Sequence, residues 1–206
     1  MSLRERQKQE RQQRILEAAR WFFNFHGYAD TTMEDIARVA KLAVGTLYNY
    51  FSSKDELLIS LIRVGTERVT ALAERIVADP PADAVESIAA LADAFMENIA
   101  AEDRRLWREV FVASIAAPNT LGAPLLALDA RVIQLFTVMV ERHKESGAFS
   151  PRIDAQRAAG LFYGICLSWM IAYATQDGLT HKEMHTEVSQ SISMAVRGML
   201  PRAGDD

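Results

Sequence analysis

Cysteine is nearly absent from this 206-residue chain: Cys166 stands alone, in an apolar run. A disulfide within one chain is impossible, and a reducing compartment is the simplest setting. Glycine and proline are sparse, at 10 and 6 residues, and alternating β-branched runs are missing. These shortages favour an all-α protein. The N-terminus is charged and polar and lacks the apolar core of a signal peptide, so the cytoplasm is the expected location. A net charge of −4 argues against a bulk nucleic-acid coat protein. No phosphate loop, nucleophile elbow or outstanding acid pair is present, so nothing asks for an enzyme or a cofactor.

Half of the residues are apolar, ample for a core. The charge is uneven. Residues 1–63 hold 10 Lys+Arg against 8 Asp+Glu, net +2, and the remainder holds 13 against 19, net −6. A basic end on an acidic body suits a protein that presents one end to DNA.

The stretch Thr31 to Leu58, TTMEDIARVAKLAVGTLYNYFSSKDELL, carries the sharpest signal. Thr31 with Glu34, or Thr32 with Asp35, can form a capping box and start a short helix. Lys41, Leu42 and Ala43 leave room only for a tight turn. A second short helix is expected from Val44 to about Tyr50, and Ser53 with Glu56 starts a third. Two short helices joined by such a turn are a helix-turn-helix signature. Val44, Leu47 and Phe51, at i, i+3 and i+7, are expected to face inward. Gly45, Thr46 and Asn49 then face outward, with Tyr48 and Tyr50 on the flanks. That uncharged face can donate to phosphates and base edges, and Gly45 permits close backbone approach. Lys54, at the next helix start, would suit a phosphate.

With TTMEDIA, GTLYNYF and SKDELL at this spacing, the stretch resembles the N-terminal DNA-binding domain of the tetracycline-repressor (TetR) family of bacterial regulators. The resemblance covers roughly residues 11–71. It implies that Thr32 touches a phosphate, that Thr46, Tyr48 and Tyr50 contact backbone and bases, and that Lys54 clamps a phosphate. Lys41 departs from the family, which usually has glycine in the turn. Ala43 and Val44 depart where many members are polar, so van der Waals contact with DNA is expected from these two positions rather than hydrogen bonding.

Further along, residues 2–14 carry five Lys or Arg against two Glu. They read either as a basic arm on DNA phosphate or as a frayed terminus. The first helix is expected from about Arg11 to His26, closed by Gly27. A long fourth helix runs from Lys54 to about Ala78, stopped by Pro80-Pro81. Its length makes it the link to the body. Five more helices are expected at about 82–99, 103–115, 122–146, 154–176 and 180–198, the last capped by Thr180 with Glu183. That makes about nine, the family's number. The domains are expected at 11–71, the helix-turn-helix unit, and 72–200, a helical bundle for effector binding and dimerisation. Residues 201–206 read as a tail.

The run from Ala158 to Gln176 holds no charge. By length it fits a membrane span, and a membrane-anchored protein is one alternative reading. A helix buried on nearly all sides in a soluble assembly is preferred, with no membrane partner. Gly160, Gly164, Ser168 and Ala172 recur every four residues, a ridge that allows close helix approach. The last helix offers Met184, Val188, Ile192, Ala195 and Met199. The resemblance implies a homodimer built on these two helices, with Gly160, Gly164, Ser168, Ala172, Val188, Ile192, Ala195 and Met199 at the interface. A two-fold dimer would read a near-palindromic operator in double-stranded DNA.

Large side chains exceed ordinary core needs. Phe95, Met96, Trp107, Phe111, Phe136, Met139, Phe162, Cys166, Trp169, Met170 and Tyr173 lie on helices that the resemblance places around a small-molecule effector cavity. Their chemistry suits an apolar or aromatic effector. Plain core is the alternative for each, and a helical-bundle enzyme is a further reading of the body. His181 and His185, four apart, have a spacing that can hold zinc. No third ligand is evident in sequence, so an exposed helix start, and no metal, is expected.

Overall fold

The computed structural model describes residues 2–201, so the expected tail lies outside it apart from Pro201. Among the described residues there are nine α-helices and no strand. They are α1 (Leu3–His26), α2 (Met33–Val39), α3 (Val44–Tyr48), α4 (Lys54–Ala78), α5 (Ala84–Ala100), α6 (Arg104–Ala116), α7 (Ala123–Glu145), α8 (Ala155–Thr175) and α9 (His181–Arg197). A π-helical turn at Pro118–Gly122 leads into α7. The all-α expectation holds. Two boundaries differ. α1 begins at Leu3, where Ser2 and Glu5 form a capping box, so the basic residues 4–14 are helical. α3 ends at Tyr48, two residues short of expectation.

The chain divides into two compact units. Among the described residues, the first holds 2–64 together with Arg105–Leu125, and the second holds Gly65–Arg104 and 126–201. This departs from the expected cut at 71/72, because α6 returns to the first unit. There Arg105 stacks its guanidinium over the Phe25 ring, with 5.7 Å to the centroid. A single cut in sequence cannot express such a return.

In the first unit, Ile15, Ala19, Phe22 and Phe23 on α1 are buried together with Ile36 and Ala37 on α2, Leu47 on α3 and Phe51. Each fully buried Leu, Ile or Phe contributes about 1.5–3 kcal/mol. Gly27 closes α1 at φ +83 and ψ 158, backbone open essentially to glycine alone. In the second unit α5, α8 and α9 pack on one another. α8 buries Ala155, Ala158, Ala159, Phe162, Tyr163, Cys166, Met170, Tyr173 and Ala174 and leaves Gly160, Leu161, Gly164, Ser168 and Ile171 exposed, so within one chain it is not buried on nearly all sides as expected. By length and composition, α8 and the helical segment Pro118–Glu145 both pass as possible spans. Asp154 caps α8, and Thr180 with Glu183 forms the expected capping box on α9. Arg104 ties down the α8–α9 loop through Gln176 O at 2.8 Å and Leu179 O at 2.9 Å. Arg142 caps the last carbonyls of α4, Val77 and Ala78.

Candidate nucleic-acid interface

The turn between α2 and α3 is made by backbone alone. Lys41 N donates to Arg38 O at 3.2 Å and Leu42 N to Ala37 O at 3.0 Å, a Schellman closure of α2. It places Lys41 at φ +56, the left-handed region that favours glycine. Thr32 caps the other end of α2: its Oγ1 accepts from Asp35 N at 3.2 Å and donates to Asp35 Oδ2 at 2.6 Å. That hydrogen bond to Thr32 holds the Asp35 carboxyl below its ordinary range. Thr31, the rival cap, is buried and donates to Gly27 O at 2.7 Å instead.

α3 is anchored by one side chain, Leu47, which is fully buried; Phe51 follows it into the core. Val44 is only half-buried, so the expected inward stripe is Leu47 and Phe51. Gly45 and Asn49 face solvent, Thr46 and Tyr50 are half-exposed, and Tyr48 is 46% exposed. A Cβ built on Gly45 meets nothing within 4 Å. Nothing inside the protein therefore requires glycine there. The result is a five-residue helix that, with the two residues after it, shows water a hydroxyl, a carboxamide, two phenols and bare backbone, with no charge.

Lys54 departs from expectation. Its Nζ donates to three backbone carbonyls, Tyr28 O at 2.6 Å, Thr31 O at 2.9 Å and Ala29 O at 3.1 Å. It also lies 4.4 Å from the Tyr28 ring centroid. An ammonium has three donors, and all three are used. Lys54 thus pins the α1–α2 loop rather than waiting for a phosphate. Burial lowers its pKa, against the raising influence of Asp55, Asp30 and Glu109. Beside it Tyr28 donates to Asp55, and burial together with that bond pushes the phenol up. The signal for this role was long-range: Lys54 and the carbonyls are 23 to 26 residues apart.

The expected effector residues divide. Trp107 and Phe111 fall in the first unit; Phe95, Met96, Phe136, Met139, Phe162, Cys166, Trp169, Met170 and Tyr173 fall in the second. Of that second group all but the half-buried Trp169 are buried. The Phe136 and Phe162 rings meet at a tilt of 49°, 6.0 Å between centroids. Burial pushes the Cys166 thiol up to about 12, with Asp93 adding to it, so the sulfur behaves as an apolar group. Sequence reasoning missed Tyr163. Its hydroxyl is enclosed, and the Asp129 carboxyl is its charged neighbour. Burial raises both groups. Tyr163 is buried and Asp129 half-exposed.

The expected dimer residues also divide. Gly160, Gly164 and Ser168 are exposed on α8 and Ala172 is half-exposed. Val188 and Ile192 are 0% exposed within the chain, and α9 packs on α5 and α8. They are core, which corrects their assignment to an interface. The stripe was real, but its cover is internal. Ala195 and Met199 are half-buried, and the apolar side chain that α9 does present is Met194, 75% exposed. Leu161 and Ile171 on α8 are exposed as well.

Residues 15–61 match the sequence profile of bacterial regulatory proteins, tetR family. The chain is 27% identical over 195 residues to the HTH-type transcriptional repressor KstR of Mycolicibacterium smegmatis, covering 94% of this chain and 88% of that one. A TetR-family regulator structure from Syntrophomonas wolfei superposes with a TM-score of 0.79 at 20% identity, over 95% of this chain and 100% of that one. The regulator FadR of Bacillus subtilis, in complex with stearoyl-CoA, superposes with a TM-score of 0.75 at 19% identity, over 91% and 98%.

Proposed function

The chain belongs to the tetracycline-repressor family of bacterial transcriptional regulators, and from that premise we propose that it is a homodimeric, effector-released repressor of a near-palindromic operator. The observation that carries the reading is α3: an uncharged, solvent-facing side of hydroxyl, amide and phenol groups, fixed by Leu47. Phosphate contacts from such groups position the helix, and base-edge contacts select sequence. Thr46, Tyr48, Asn49 and Tyr50 make those contacts, Gly45 and Val44 pack closely on the groove, and Thr32 offers its hydroxyl at the start of α2. The exposed cations of α1, among them Arg11 and Arg14, add salt-dependent attraction. The repressor sign rests on the names of relatives such as KstR.

Dimerisation runs through the α8 ridge of Gly160, Gly164 and Ser168, with Met194 of α9 beside it. The effector is apolar and lies among the buried side chains of the second unit, with the Tyr163–Asp129 pair as its polar anchor. The stearoyl-CoA held by the Bacillus subtilis neighbour supports this class, since that fold accommodates a long acyl group. α4 belongs in part to each unit and carries the change. The shift is limited to the effector's differential affinity for the DNA-binding and DNA-free shapes. The site of action is the cytoplasm.

Selection from random duplexes tests the reading, with Tyr48→Ala alongside. The expected result is a two-fold symmetric site, bound by the native chain and lost by the variant while helical content is unchanged. Sequence-specific binding retained by Tyr48→Ala would remove α3 from its role. Mobility-shift titration with acyl-CoA and aromatic compounds tests the effector: operator release by one class supports it, and no response across both removes it.

A further inference from the structure

His181 and His185 stand one turn apart at the start of α9, and the fold supplies what the sequence did not show. Glu97 on α5 comes up against them, so that one ligand atom from each of the three lies within 4.8 Å of the others. Asp93, one turn earlier on α5, brings Oδ1 to 3.4 Å from His185 Nδ1. Glu97 Oε1 lies 3.8 Å from His185 Nε2, too long for a hydrogen bond. The imidazoles meet edge to face, centroids 4.5 Å apart. Nε2 of each ring is closed off from solvent and has no hydrogen-bond partner among the described residues. An enclosed ring nitrogen without a partner costs free energy. His185 Nε2 faces the Glu97 carboxylate, His181 stands beside them, and Asp93 lies behind His185 at Nδ1.

We propose that Glu97, His181 and His185 form a binding site for a divalent transition-metal ion of the zinc class, with Asp93 behind His185 at Nδ1, where it orients that ring. A cation takes lone pairs from both rings and the carboxylate at once, which no shared proton can do. Bonds of about 2.0–2.2 Å bring ligand atoms to roughly 3.4 Å apart, so each side chain closes inward by about an ångström. The geometry favours this: both pairs, 93 with 97 and 181 with 185, are spaced i, i+4 and lie along one helix face. Two imidazoles with carboxylate select zinc, cobalt or nickel over calcium or magnesium, which take oxygen ligands. The positive end of α9 works against a cation, and the two carboxylates of α5 offset it. The bound ion would staple the first turn of α9 to α5.

The test uses the tag-free full-length chain, stripped with a chelator. Zn2+ is titrated in competition with a chromophoric chelator, and Co2+ by visible absorption. One ion per chain is expected from both. With Zn2+ at about 100-fold over Kd, Tm rises by roughly 5–10 °C. Glu97→Gln and His181→Gln each weaken binding by about tenfold or more, with the metal-free Tm kept. Imidazole resonances in the unaltered protein give a reading independent of variant folding: those of His181 and His185 shift on zinc addition and those of His26 and His143 do not. A native Kd weaker than about 100 µM, variants that bind as the native chain does, or unmoved His181 and His185 resonances would each overturn the site.

Discussion

Lys41 holds φ +56 in the turn before α3. A side chain in this left-handed region costs about 1–2 kcal/mol, and glycine escapes that cost while losing more chain entropy on folding. Lys41→Gly is therefore expected to stabilise the chain by about 0.5–1 kcal/mol, raising Tm by roughly 2–4 °C in thermal melts. A lower midpoint would mean that the Lys41 side chain earns its place through some contact of its own. Lys54 makes the opposite case. Its ammonium spends all three donors on the Tyr28, Ala29 and Thr31 carbonyls. Lys54→Met is expected to lower stability by about 2–3 kcal/mol. The salt dependence of operator binding should stay as in the native chain. A phosphate-contacting lysine behaves otherwise: its loss reduces the salt slope by about one and leaves stability alone. Denaturant melts and a salt titration separate the two.

α3 is only five residues long and depends on Leu47 and Phe51 to exist at all, since isolated helices of this length do not persist in water. Its outward side is thus free to be chosen for what it touches. Gly45 makes the distinction measurable. With nothing within 4 Å of an added Cβ, Gly45→Ala is expected to fold and gain about 0.5–1 kcal/mol of stability. The same methyl group would stand between backbone and groove, so operator affinity should fall by about tenfold or more, roughly 1.4 kcal/mol. Equal affinity in a mobility-shift titration would show that the groove does not come close at this point.

Such elements were legible in sequence because their evidence is local. Thr32 with Asp35, Thr180 with Glu183, and Pro80-Pro81 each mark a boundary within a few residues of themselves. The start of α1 was missed because residues 3–10 show no apolar stripe; Ser2 with Glu5 was the sign. Partners distant in sequence were not legible. Nothing near His181 announces Glu97, and nothing near Lys54 announces the three carbonyls. Val188 and Ile192 show the same limit: periodicity reveals that a stripe is apolar and does not say what covers it.

At the scale of the whole molecule, the proposed dimer needs a surface of the second unit that pairs two chains. Among the described residues of one chain nothing fills the α8 ridge: a Cβ on Gly160 or Gly164 meets nothing within 4 Å. Leu161, Ile171 and Met194 are left exposed nearby. Small residues every four positions let two helices approach closely, and a two-fold axis through this ridge would bring the same stripe of each copy together. Gly164→Leu tests it cleanly. Leucine is a better helix former than glycine by about 0.8 kcal/mol and has room within the chain, so the protomer keeps its helices. It stands in the path of a second α8. Light scattering is expected to show the native chain at twice the protomer mass and the variant at once. Operator affinity should fall by about a hundredfold or more, because two linked half-sites bind with an avidity that one cannot reach. Val188→Ala serves as the contrast: it removes buried apolar contact, so stability should drop by about 1–2 kcal/mol with the dimer kept. A variant at Gly164 that remained dimeric would place the pairing surface elsewhere on the unit.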